Sequence, residues 1–98
     1  MNQLSPDELK NWIAAGKDFL LVDVREQWEH TAYNIGGVLI PMSEFISRIN
    51  EFQSEKDVVL YCEKGIRSVI AIQRLEQAGF SDLYNLAGGM YAWRAATD

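Results

Sequence analysis

"VVLYCEKGIRSVIAIQRLEQAG", residues 58–79, contains a complete strand–loop–helix unit. Val58-Val59-Leu60-Tyr61 is an unbroken apolar run, so Asp57 to Tyr61 reads as a strand buried on both faces. Ile66 to Ala78 reads as a helix with Val69, Ile72 and Leu75 turned inward, closed by Gly79. Cys62, the only cysteine of the chain, stands at the junction, separated from the helix by Glu63, Lys64 and Gly65.

The same alternation extends in both directions. Upstream, Ser5 caps a first helix, Pro6 suits its first position and Glu8 completes a capping box. Leu9, Trp12 and Ile13 form its apolar face and Gly16 ends it. Phe19 to Val22 is a second buried strand, running into Asp23-Val24-Arg25-Glu26. Trp28 to Tyr33 reads as a short helix, and Val38 to Ile40 as a short strand stopped by Pro41. Ser43 is placed to cap a helix carrying Phe45, Ile46 and Ile49. Downstream, Asp82 to Leu86 reads as a strand. Gly88-Gly89 then turns the chain into a last helix, Met90 to Ala96. Strands alternating with helices, and buried on both faces, predict an α/β fold: a three-layer domain with a mainly parallel sheet covered by helices on both faces. Sites in such sheets form beyond the carboxyl ends of the strands. Asp23 and Arg25 follow one such end and Cys62 follows another.

The chain has 98 residues and is 48% hydrophobic, enough for one core, so residues 1–98 are expected to form a single domain. Its start Met suggests a complete chain, with a fragment of something larger as the alternative. Fourteen acidic against nine basic residues give a formal charge of −5, which disfavours nucleic acid and anionic membranes as partners. No apolar stretch is long enough to cross a bilayer, and the N-terminal residues lack the pattern of a signal peptide. One cysteine excludes an internal disulfide and one histidine excludes the usual zinc clusters. These absences point to the cytoplasm.

The loop Cys62-Glu63-Lys64-Gly65-Ile66-Arg67-Ser68 fits anion chemistry. A helix beginning near Ile66 directs unpaired N–H groups and the positive end of its dipole at the loop. Gly65 permits the backbone to curl its N–H groups into a nest. A free thiol, with a pKa of about 8.5, is only a few per cent ionised at neutral pH, and such a setting favours the reactive thiolate. Arg67 opposes the dipole of its own helix, so a negative partner is expected: the thiolate, a bound oxyanion, Glu63 or Asp23. Lone cysteines generally just pack, but the glycine-containing loop, the helix start and the arginine together favour reactivity here. Elsewhere structural roles are expected. Asp23 and Arg25 read as a pair shaping the loop wall, and the tryptophans Trp12, Trp28 and Trp93 as core or partly covered. His30 reads as an exposed helix residue, and Gly88-Gly89 as a backbone requirement.

Four segments in order resemble the rhodanese domain, the sulfurtransferase module: "LVDVREQWEH" (21–30), "NIGGVLIP" (34–41), "YCEKGIRS" (61–68) and "GFSDLYNLAGGMYAW" (79–93). The resemblance spans nearly the whole chain. It departs from the family pattern at Asn34, where histidine is frequent, and at Gly37, where alanine is. It implies that Cys62 attacks a donor such as thiosulfate, carries the sulfur as a persulfide held by the backbone from Glu63 to Ser68, and passes it to a thiol, cyanide or protein acceptor. No cofactor is implied. The alternatives are a docking or regulatory rhodanese module, a redox sensor, and a cysteine phosphatase or arsenate reductase. Loops of the last kind are one residue longer than the four, Glu63 to Ile66, that separate Cys62 from Arg67 here.

Overall fold

The structure is a computed structural model and describes residues 1–52 and 55–97. Gln53, Ser54 and Asp98, included in the single domain expected over 1–98, lie outside the described residues. The elements run β1 (Asn2–Leu4), α1 (Pro6–Ala14), β2 (Phe19–Asp23), α2 (Gln27–Ala32), β3 (Val38–Leu39), β4 (Asp57–Tyr61), α3 (Arg67–Gln77), β5 (Leu83–Leu86) and α4 (Gly89–Thr97). The strands form one sheet in the order β1-β5-β4-β2-β3, with every pair parallel. The expected α/β architecture is therefore present.

Alternation along β4 builds the two faces. Val58, Leu60 and Cys62 join one buried cluster with Ala71, Ile72 and Leu75 of α3, together with Phe45 and Phe52. Val59 and Tyr61 join the opposite cluster with Leu9 of α1 and Met90 and Trp93 of α4. Cys62 thus continues the face covered by α3. In-register pairing of Asp23 with Tyr61 brings the ends of β2 and β4 together, so the segments after them share one rim.

The start of α1 follows its sequence signal. The Glu8 N–H donates to Ser5 Oγ at 3.1 Å, and the Ser5 N–H donates to Glu8 Oε1 at 2.9 Å. This pairing holds the Glu8 carboxyl below its ordinary pKa, the Ser5 backbone bond being the main cause.

Two local expectations are corrected. Ser43 does not cap an α-helix; the segment makes two short 3-10 turns, Met42–Glu44 and Ile49–Glu51. Phe45 turns inward, its ring 5.0 Å from that of Phe52, whereas Ile46 is 79% exposed. Packing of the two rings, with N–H bonds reaching back three residues from Phe45 and Phe52, takes the place of a regular helix. Trp28 is 73% exposed rather than covered, because the six-residue α2 has no fully buried side chain. Trp93 is buried, and Trp12 packs edge-on against Phe19 and Tyr84.

Candidate active site

Cys62 lies immediately beyond β4, and the next residues wrap around its sulfur. Gly65 has φ +87°, in the left-handed region that other residues rarely adopt, and its N–H donates to Cys62 Sγ at 3.1 Å. The Ser68 N–H, in the first turn of α3, is directed at the same sulfur from 3.4 Å. Ser68 Oγ lies 3.3 Å from Sγ and donates to Asn85 Oδ1 at 2.5 Å. Asn85 Nδ2 in turn donates to Gln3 Oε1 at 3.0 Å, linking the buried sulfur through β5 to β1. The backbone around the sulfur therefore presents N–H groups from a nest and from a helix start to one atom.

The loop is fixed from behind by α4. The N–H groups of Met90 and Tyr91, which lack helical partners of their own, donate to the carbonyls of Cys62 and Glu63 at 2.9 Å each. This close approach explains Gly89. A Cβ there would stand 2.4 Å from the Cys62 carbonyl oxygen and 2.7 Å from the Glu63 carbonyl carbon, with φ at +59°. The reading of Gly88-Gly89 as a backbone requirement agrees with this contact.

Ion pairs form the walls. Arg67 makes a two-pronged contact with Glu29 of α2, at 2.8 and 2.7 Å. The side chain that pairs with Arg67 is thus Glu29, which is not among the expected partners, and neither Glu63 nor Asp23 forms an ion pair with it. Hydrogen bonding from Arg67 brings the Glu29 carboxyl to a pKa of about 2 against burial, and raises that of the Arg67 guanidinium. Glu63 faces Arg94 of α4 at 2.8 and 3.1 Å.

Asp23 and Arg25 form the expected pair, both buried, with Nε and Nη2 of Arg25 within 3.0 and 2.9 Å of the carboxylate. Arg25 also donates to the Tyr33 carbonyl at 2.6 Å and lies 3.5 Å from Glu63. Burial opposes its charge, and the Asp23 carboxylate more than offsets this, so its pKa lies above the ordinary value. His30 is not a free surface residue. Its Nδ1 is 2.8 Å from Asp23 Oδ2, because one helical turn of α2 returns it over the end of β2.

Glu29, Cys62, Glu63, Lys64, Ile66 and Arg67 line a cavity of about 410 Å³. Of the predicted loop, Glu63, Lys64, Ile66 and Arg67 line this cavity with Cys62, whereas Gly65 and Ser68 do not line it and contact the sulfur. Arg25 lines an adjoining cavity and Asp23 is buried beneath it. Sequence reasoning missed Glu29, Arg94 and Asn85. Glu29 is 38 positions from Arg67 and Asn85 is 17 from Ser68, and no local pattern couples them. Among the described residues no group of three or more His, Cys, Asp or Glu side chains is placed to hold a metal ion.

Comparison with known proteins supplies the context for this geometry. The rhodanese-like domain family matches residues 5–96. The probable adenylyltransferase/sulfurtransferase MoeZ of Mycobacterium tuberculosis is 38% identical over 92% of this chain, which spans only 24% of that protein's length. A sulfurtransferase of Allochromatium vinosum is 36% identical, covering 95% of this chain and 88% of its own. Among solved structures, a rhodanese-like domain protein from Staphylococcus aureus superposes with a TM-score of 0.87. It is 35% identical and covers 95% of this chain and 91% of its own.

Proposed function

This chain belongs to the rhodanese-like domain family, and on that premise we propose that it is a sulfurtransferase working through a Cys62 persulfide. The observation that carries this reading is the convergence of the Gly65 and Ser68 N–H groups on Cys62 Sγ, with the Ser68 hydroxyl beside it. These donors stabilise a sulfur anion without a metal or an organic cofactor.

The reaction runs in two displacements. The Cys62 thiolate bonds to the sulfane sulfur of a donor such as thiosulfate. The donor's bond to that sulfur breaks, and its electron pair leaves with the donor. The persulfide on Cys62 is then attacked at its outer sulfur by a thiol, cyanide or a protein nucleophile, and the Cys62 thiolate departs. With one cysteine in the chain, no second internal thiol takes the sulfur, so the acceptor comes from outside. The residues from Glu63 to Ser68 hold the persulfide through their backbone, while Asp23 and Arg25 support the wall.

The phosphatase-type alternative is the weaker one. Arg67 is already neutralised by a two-pronged pair with Glu29, which weakens its hold on a phosphoryl dianion. No helix among the described residues is long and apolar enough to cross a membrane. A cytoplasmic location fits this reading.

The test is to weigh the intact protein after incubation with thiosulfate, then with a persulfide donor, and again after adding cyanide. The expected result is the gain of one sulfur atom's mass, mapped to Cys62, released by cyanide as thiocyanate and absent from Cys62→Ser. If no donor adds sulfur to Cys62, the domain acts as a docking module instead.

A further inference from the structure

We propose that the sulfur donor of this site is an organic persulfide of low charge rather than dianionic thiosulfate; the proposal rests on the sulfurtransferase reading and specifies its substrate. It comes from the state of the cations around the cavity. Thiosulfate is small and doubly charged, so cations whose charge a carboxylate already neutralises hold it weakly. Arg67 gives both terminal nitrogens to Glu29 and Arg94 gives both to Glu63. Arg25 is buried and engaged by Asp23 and the Tyr33 carbonyl.

Lys64 is exposed and forms no ion pair among the described residues. The charged side chains lining the cavity, Glu29, Glu63, Lys64 and Arg67, thus carry no net charge, and a Cys62 thiolate makes the set negative, with Arg94 on the adjoining cavity already paired to Glu63. Beyond the cavity lies the field of a chain with formal charge −5. A dianion meets repulsion from the whole molecule and one exposed lysine in compensation.

The surface beside the sulfur suits a carbon-bearing donor. Ile66, 67% exposed, lines the cavity. Trp28, 73% exposed, lines an adjoining cavity of about 250 Å³ that shares Glu29 and Glu63 with the first. An alkyl chain laid from Cys62 across these side chains removes apolar surface from water, which thiosulfate cannot do. In the resulting step the Cys62 thiolate bonds to the outer sulfur of R–S–S–H. The donor's S–S bond breaks and its electron pair leaves on R–S⁻. That thiolate takes up the proton of the transferred sulfur, giving R–SH and the Cys62 persulfide anion.

The experiment compares single-turnover loading of Cys62, followed by intact mass, with thiosulfate and with the persulfide of N-acetylcysteamine. The wild-type protein is expected to load faster from the persulfide. Added salt is expected to raise the thiosulfate rate by about threefold while leaving the persulfide rate nearly flat, since it screens the repulsion of the dianion. Glu29→Gln releases Arg67, and the ratio of thiosulfate to persulfide rate is expected to rise by about tenfold. The salt comparison needs no variant and stands if Glu29→Gln fails to fold. Thiosulfate loading as fast as the persulfide, or a ratio unchanged in folded Glu29→Gln, overturns the proposal and leaves the sulfurtransferase reading intact. Only failure of both donors removes that reading.

Discussion

Asp23 illustrates what one buried carboxylate organises. It is fully buried and receives the Arg25 backbone N–H at 2.9 Å, the Arg25 side chain and the His30 ring nitrogen. Removing one member of a buried pair leaves the other charged and unpaired, which costs about 3–5 kcal/mol. Asp23→Ala is therefore expected to lower stability by that order, read as a shift in the urea unfolding midpoint with little change in slope. A shift within the range of ordinary surface substitutions, about 0.5 kcal/mol, would mean that Arg25 finds another partner. The Asp23–Arg25 pair was legible because its members are neighbours in sequence. Cys62, Gly65 and Ser68 were legible because a strand end, a glycine and a helix start are local signals. His30 was not, since its contact depends on how α2 folds back over β2.

At the scale of elements, α2 is tied to α3 by one ion pair, Glu29 with Arg67, and this tie closes one side of the cavity. Its sign with pH follows from the depressed Glu29 pKa. The folded carboxyl titrates at about 2 against an ordinary value of 4.5. As pH falls below the ordinary value, the unfolded chain takes up the proton first. The contribution of the pair is complete above that value and is lost as pH falls toward the folded one. Arg67 is 38% exposed, so solvent screening holds the contribution to about 1 kcal/mol. Unfolding free energies of wild type and Glu29→Gln from urea titrations are expected to differ by this amount at neutral pH and to converge through the acid range. Parallel curves at all pH values would show that the carboxylate charge is not what the pair contributes. The elements flanking this tie were read to within a residue or so, as with α3, expected over 66–78 and found at Arg67–Gln77. The segment after β3 was misread because Phe45, Ile46 and Ile49 have helical spacing. Its hydrogen bonds instead follow ring packing that spacing does not encode.

Across the whole molecule, the first residues add the edge strand of the sheet beside the last strand. Nothing in Asn2-Gln3-Leu4 reads as a strand, because only Leu4 is buried and no alternation develops over three residues. β1 exists because β5 pairs with it, in the register Asn2–Tyr84, Gln3–Asn85 and Leu4–Leu86. Two contributions follow, and they separate experimentally. Leu4 fills the core beside Leu9, Leu86 and Met90, so Leu4→Ala is expected to cost about 2–4 kcal/mol. Hydrogen bonds of the strand add a second contribution. The Ala87 N–H donates to the Leu4 carbonyl at 2.9 Å, and Gln3 accepts from Asn85, the residue that receives the Ser68 hydroxyl beside Cys62. Deleting residues 1–4 removes all of this and turns β5 into an unpaired edge, open to pairing with another chain. The deletion is expected to destabilise the protein further than Leu4→Ala and to add concentration-dependent association, measured by urea unfolding and light scattering. If it costs no more than Leu4→Ala and remains monodisperse, the pairing of β1 contributes nothing beyond one buried side chain. In that case Asn85 is held by the packing of β5 alone, and the link from the sheet edge to the active-site sulfur has no mechanical role.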